Sequence, residues 1–140
     1  MRAYIPATWN DLATDLLNPP AVYAVTPELA ESFDEEEIAE LYAYQRAAEH
    51  STRLVAAAGA RPRRVVLSTE LTSLGAPLGA DPASYSAPGP VNWADVASIH
   101  VDDVDRDIAG ALASEDAMDA LTREAMAWFD VVERDLLVRD

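Results

Sequence analysis

Length, composition and charge exclude several classes of protein. The chain has 140 residues, half of them apolar, and its 25 acidic residues against ten arginines give a formal net charge of −15. Such a negative surface repels phosphate backbones and anionic lipid, so neither nucleic acid nor a membrane is an expected partner. The absence of cysteine excludes disulfides, thiolate catalysis and cysteine-ligated metal centres.

The first part of the chain predicts two strands and the start of a helix. Residues 2–7 and 21–26 are short, β-rich segments bounded by proline and polar residues. Thr26 then offers a cap hydroxyl, and Pro27 suits the first turn of a helix. The composition and length predict one domain over residues 1–140, and the lack of a long apolar run predicts a soluble cytoplasmic protein.

The longest helical pattern covers residues 34–58. Acidic residues crowd its N-terminal end. An apolar face is predicted by residues that recur at helical spacing, namely Ile38, Leu41, Tyr42, Ala48, Thr52 and Val55. Gly59 follows the last periodic residue and is a typical stop signal.

An arginine cluster, Arg61, Arg63 and Arg64, lies at the start of the predicted strand 63–70, just before its apolar run. Two interpretations fit it. Three guanidiniums could bind a small anion or an acidic partner, or they could simply keep the entrance of a strand soluble.

Residues 71–90 predict a long loop, because this Pro- and Gly-rich segment has no usable periodicity. A loop of this length is usually either a functional flap or mobile. If it covers a small-molecule site, the residues predicted to contact the ligand are Tyr85, Trp93 and the arginine cluster.

The predicted strand 96–102 runs into "HVDDVDRD", which combines an imidazole with carboxylates. Alternation along a strand would place His100 and Asp102 on one face, as two ligands of a divalent metal. A calcium loop does not fit the aspartates that follow, because Ile108 and Ser114 occupy the positions that require Gly and Glu. The alternative is that the aspartates cap and begin a helix, with Asp102 or Asp103 as the cap. No cofactor is predicted apart from this possible divalent metal.

The C-terminal segment 121–138 is ambiguous between one helix and a short helix followed by a strand. Its helical positions would form one apolar face, whereas "AWFDVV" alone favours a strand near 126–132. The second alternative is favoured here.

Five blocks, "MRAYIPAT", "VYAVTPEL", "RRVVLSTE", "WADVASIHVDD" and "AWFDVVE", resemble in this order a family of small, acidic actinobacterial proteins of unknown function. The resemblance implies a cytoplasmic bacterial protein with a single domain of α/β type. It implies no activity, substrate or catalytic residue.

The elements together predict an α+β domain: a mixed sheet of four or five strands with helices mainly on one face, in which a ferredoxin-like arrangement with an insertion is one option. No nucleotide-binding glycine motif, nucleophile elbow or lysine is present. The favoured function is therefore a non-enzymatic interaction or regulatory module that binds a protein with a basic surface. The alternatives are a metal-binding protein or metal-dependent enzyme using His100 and Asp102, and a small-molecule binder under the 71–90 loop. The oligomeric state stays open.

Overall fold

The computed structural model describes residues 1–139 and assigns most of them to strands and helices. The strands are β1 (Arg2–Ala7), β2 (Leu16–Leu17), β3 (Val22–Ala24), β4 (Val65–Glu70), β5 (Ser84–Tyr85), β6 (Val91–Asn92), β7 (Val96–Val101) and β8 (Ala127–Asp130). The α-helices are α1 (Pro27–Ser32), α2 (Glu36–Ala58), α3 (Ile108–Leu112), α4 (Glu115–Thr122) and α5 (Arg134–Val138), and short 3-10 helices cover Trp9–Ala13, Trp93–Asp95 and Val131–Glu133. None of the helices in this part of the chain combines the length and the apolar character that crossing a bilayer requires.

Six strands form one sheet in the order β5-β3-β1-β4-β7-β8, and β2 pairs with β6 in a separate ribbon. The prediction of an α+β fold is confirmed. The predicted sheet was wrong in two details, because six strands take part and every described pair is antiparallel. The added strand β5 is only two residues long and is held by pairing with the distant β3, which no local pattern reveals. The ferredoxin-like arrangement is not confirmed by this strand order.

The five predicted strands are all present, with ends that differ by at most two residues from the expected ones. The C-terminal ambiguity is settled in favour of a helix followed by a strand. Helix α4 ends at Thr122, and β8 follows as the last strand of the sheet.

Helix α2 packs on the sheet through alanines. Its buried face includes Ala39, Ala43 and Ala47, whereas Ile38 and Leu41 are exposed. The predicted apolar face was therefore wrong at these two positions and right at Ala48, Thr52 and Val55, which are buried. Small side chains let the helix approach the sheet closely, so the larger ones lie outside this contact. The helix ends as predicted, with Gly59 in the left-handed conformation at φ 58°.

Alternating residues of the central strands contribute to two separate cores. Ile5 and Leu67 face one core, and Tyr4 and Val66 face the other. Helices α1 and α2 cover the second core. The first is covered by the 3-10 helix Trp9–Ala13, the β2/β6 ribbon and α5, through Leu12, Leu17, Val91 and Leu137. Helices therefore lie on both faces, although the longest one covers a single face.

The 71–90 segment is not structureless. Its two arms are joined by backbone hydrogen bonds, from Gly75 N to Ser86 O and from Leu78 N to Ser84 O, both 2.9 Å. Ala24 N also donates to Ala83 O at 2.8 Å, which attaches the segment to the end of β3. The segment thus forms a small hairpin on the edge of the sheet.

Ser51 of α2 joins two strands from within the core. Its hydroxyl donates to Ala7 O at 2.7 Å and accepts from Val65 N at 2.9 Å, and the residue is fully buried. We expect Ser51→Ala to lower the free energy of unfolding by about 1–3 kcal/mol in urea titrations, because a buried amide and carbonyl lose their partner. The exposed Ser32→Ala serves as the control, with an expected change within about 0.5 kcal/mol. Equal stabilities of the two variants would contradict this role.

Candidate functional site

An open cleft lies between the N-terminal half of α2 and the exposed end of the sheet. It has a volume of about 250 Å³ and is lined by Tyr4, Glu37, Glu40, Leu41, Tyr44 and His100. Three rings form its floor in edge-on contacts. The Tyr4 and Tyr44 centroids are 5.8 Å apart, and those of Tyr44 and His100 are 5.1 Å apart. We call this space the α2–β7 cleft.

The floor of the α2–β7 cleft is uncharged at neutral pH. Burial lowers the pKa of His100 to about 4, and the charge of Arg2 acts in the same direction. Burial also raises the pKa of Tyr44 to about 12. The negative charge of the cleft is therefore supplied by Glu37 and Glu40 at its rim.

His100 contacts a hydroxyl pair at the base of the sheet. Its Nε2 lies 3.3 Å from Ser98 Oγ, which in turn is hydrogen-bonded to Ser68 Oγ of the neighbouring strand. Both serines are buried. A nucleophilic serine requires a base that is itself oriented by a third group. Among the described residues, the contacts of His100 are Ser98 and the Tyr44 ring rather than a carboxylate.

Asp102 does not share a site with His100, because β7 ends at Val101 and the next residue turns into a buried ion pair. One Asp102 oxygen accepts from the backbone N and Nε of Arg64 at 2.8 and 2.9 Å, and the other accepts from Arg64 Nη2 at 2.8 Å. Arg106 adds a contact of 3.2 Å. The described residues contain no group of three or more His, Cys, Asp or Glu side chains that could hold a metal ion. The geometry therefore does not support the predicted metal ligands.

The helix cap was assigned to the wrong aspartate. Asp107 caps α3, since its side chain accepts from Gly110 N at 2.9 Å. Asp102 and Asp103 lie upstream of this cap. Asp105, one of the aspartates predicted to begin the helix, instead lies before it and pairs with Arg63.

The arginine cluster does not form one site. Arg64 is buried with Asp102, and its Nη1 and Nη2 also donate to the carbonyls of Leu121 and Glu124. Arg63 pairs with the exposed Asp105 at 2.8 Å. Arg61 stacks on the ring of Trp9, with the guanidinium carbon 4.5 Å from the centroid. Arg63 also lies over the Trp9 ring, with its guanidinium carbon 5.6 Å from the centroid. Arg61 and Arg63 therefore share one ring, whereas Arg64 is held away from them by Asp102, and a common anion site of all three is not supported.

Tyr85 and Trp93 both pack against the first core. Tyr85 belongs to β5, and Trp93 Nε1 donates to Thr14 O at 2.8 Å. A cavity of about 190 Å³ does lie beside the 71–90 segment, lined by Glu70, Leu71, Thr72, Ser73, Pro88, Pro90, Val91 and Asp95. None of the residues predicted to contact a ligand lines it.

Trp128 is the surface residue that the sequence analysis did not single out. It lies on β8 directly opposite His100 of β7, so the two side chains share one face of the sheet. Its side chain is 60% exposed. Trp128 therefore lies beside His100 on the side of the sheet edge, next to the α2–β7 cleft. The only signal in the sequence is a large aromatic in a short strand pattern, which by itself is equally typical of a core residue.

Comparison with known proteins gives a family but no function. Neither the curated proteins nor the solved structures include a significant match to this chain. The model of one protein family matches residues 1–138, nearly the whole length. The chain therefore belongs to DUF6912, a family of unknown function.

Proposed function

We propose that this protein is a non-enzymatic interaction module that binds a basic segment of another protein at the surface around Trp128. The observation that carries the proposal is a difference in whether the three tryptophan rings are covered by arginines of the chain. Trp9 and Trp93 are each covered by an arginine of the chain, with guanidinium carbons 4.5 and 4.3 Å from their ring centroids. In the described part of the chain no guanidinium is stacked on Trp128.

The segment around Trp128 concentrates exposed apolar surface. Val132, Leu136 and Trp128 are 82, 63 and 60% exposed, the highest values among the large apolar residues described. All three lie within nine positions of one another in the sequence. Contiguous apolar exposure is typical of interaction surfaces, and of these three residues it is Trp128 that the strand pairing places on the His100 face of the sheet.

The charge of this region determines the kind of partner. Glu37 and Glu40 line the adjoining cleft, and Asp130, Glu133 and Asp135 belong to the exposed C-terminal segment. Arg134, the one base between residues 124 and 138, donates to the carbonyls of Leu12 and Thr14. Because the whole chain has a net charge of −15, this surface complements arginine or lysine side chains of a partner.

The two alternative functions lack an observation that favours them. A metal-dependent function would need Asp102 to leave Arg64 and additional ligands to approach His100. A small-molecule site beside the 71–90 segment would need contacts other than the five residues predicted from the sequence.

The proposal predicts that Trp128→Ala weakens binding of a basic peptide by about tenfold or more, since exposed aromatic anchors dominate many interfaces. The probe is a fluorescent eight-residue peptide of alternating Arg and Val, titrated by anisotropy into the full chain. Leu78→Ala, which removes another exposed apolar side chain, provides the matched control and should leave the affinity unchanged within about twofold.

Glu37→Gln combined with Glu40→Gln tests the charge contribution. We expect weaker binding at low salt and a smaller loss of affinity on adding salt than for the native chain. Binding that depends on neither Trp128 nor the two glutamates would refute the proposed surface.

A further inference from the structure

The outer edge of β8 has no strand beside it. In the sheet order β8 is terminal, and β7 is its only pairing partner among the described residues. The opposite terminal strand, β5, is only two residues long, whereas β8 has four. An edge strand presents a row of backbone donors and acceptors that can pair with a further strand.

β8 is short and ends in the charged Asp130, but it carries neither a proline nor a bulge that would protect its edge. Its sequence, Ala-Trp-Phe-Asp, contains no proline or lysine, and its four pairs with β7 are in continuous register. By contrast, the β4/β7 pair shifts register between Ser68 and Thr69. Alternate residues of β8 direct their amides to the free edge, so the outward donors of the strand are Trp128 N and Asp130 N, and Asp130 N is already occupied by Glu133 Oε2 at 2.9 Å. Within the described part of the chain, Trp128 N and the Trp128 carbonyl are left for an added strand. β8 is therefore regular enough to accept another strand.

Side-chain alternation determines what such a strand would carry. Trp128 and Asp130 lie on one face of β8, and Ala127 and Phe129 lie on the other, where Phe129 packs against the first core. A residue added opposite Trp128 would lie beside both its ring and the Asp130 carboxylate. An arginine at this position would stack its guanidinium on the Trp128 ring, as arginines do on Trp9 and Trp93, and its charge would pair with the Asp130 carboxylate.

We infer that the partner of this module adds an extended segment to β8 as a seventh strand, with arginines on the Trp128 face and apolar residues on the Phe129 face. This inference rests on the proposed function and specifies its mode of binding. A second copy of the chain is a poor occupant, because each copy would bring a net charge of −15 and its own Asp130 to the shared edge.

The first test compares two peptides of the same composition on the full chain. An eight-residue peptide of alternating Arg and Val should bind at least about tenfold more tightly than one with four Arg followed by four Val, because only alternation separates the two faces. Both affinities are measured with the native chain and with Trp128→Ala. The preference for alternation should disappear in the variant.

The second test uses the backbone of the alternating peptide. In an added strand, all arginine amides point in one direction across the strand and all valine amides in the other. N-methylation of one of these two sets should therefore abolish binding, and N-methylation of the other should leave it nearly unchanged. This expectation does not depend on the register in which the peptide pairs.

The outcomes separate this inference from the proposed function. Equal binding of both peptides with continued dependence on Trp128 would overturn strand addition but keep the interaction surface. Equal effects of the two methylated sets would also overturn strand addition. Loss of all dependence on Trp128 would overturn both. A dimer in sedimentation that the alternating peptide dissociates would assign the edge to a second copy and overturn the inferred partner.

Discussion

Asp102→Ala is expected to lower the free energy of unfolding by about 3–5 kcal/mol, since it leaves the Arg64 guanidinium buried without its counterion. Arg64 and Asp102 are both fully buried and share three hydrogen bonds of 2.8–2.9 Å. The same guanidinium donates to Leu121 O and Glu124 O at the C-terminal end of α4. If the guanidinium moves after Asp102 is removed, these two hydrogen bonds are lost and the end of that helix is destabilised as well. The measurement is urea unfolding followed by circular dichroism.

Asp105→Ala is the matched control for this ion pair. Asp105 also pairs with an arginine at 2.8 Å, but its side chain is exposed, so we expect a loss of at most about 1 kcal/mol. If Asp102→Ala does not fold, the double variant Arg64→Met with Asp102→Leu separates charge from packing. Replacing both partners with apolar groups should restore cooperative unfolding. An Asp102→Ala chain as stable as Asp105→Ala would contradict the role of the pair.

Acidification from pH 6.5 to 4 should remove up to about 3 kcal/mol of stability through His100 alone. The native pKa of His100 is about 4, below its ordinary value of 6.5, because burial disfavours the imidazolium. Between these values the unfolded chain binds more protons than the native one. The contribution is therefore complete above pH 6.5 and is lost as the pH falls toward 4.

His100→Gln tests this linkage, because glutamine has no charge to gain. The stability of the native chain minus that of the variant should shrink as the pH falls from 6.5 to 4, since only the native chain loses the His100 contribution. His50→Gln is the control, and it should keep the His100 part of the slope. The pKa of His50 is also lowered by burial, so the control removes a contribution of the same sign. Parallel pH profiles of the native chain and His100→Gln would contradict the assignment.

Local signals explain what was predictable of the fold. Thr26 caps α1 by accepting from Leu29 N at 3.1 Å, and Gly59 ends α2, because such signals depend on a few neighbouring residues. The apolar face of α2 was predicted correctly only in the C-terminal half of the helix. Ile38 and Leu41 gave the stronger hydrophobic pattern, yet the alanine face is buried, because close approach to the sheet selects small side chains.

The candidate site was less accessible to sequence reasoning. His100 was found because imidazole is rare in this chain, but its predicted partner Asp102 turns to Arg64, 38 positions earlier. Trp128 was read only as part of a strand. Whether a strand is central or terminal depends on which distant segments pair, and a short segment carries no information about this.

By itself the sequence determined the α+β class, the positions of five strands, the long helix with its stop, and a net charge of −15. These properties follow from local backbone preferences, side-chain periodicity and total charge. None of the three depends on which distant segments pair. Only the tertiary structure decided that β8 is an edge, that Trp128 is uncovered beside His100, and that Asp102 is neutralised by Arg64. Those outcomes depend on long-range pairing, because the burial of a side chain is set by the segments that pack over it.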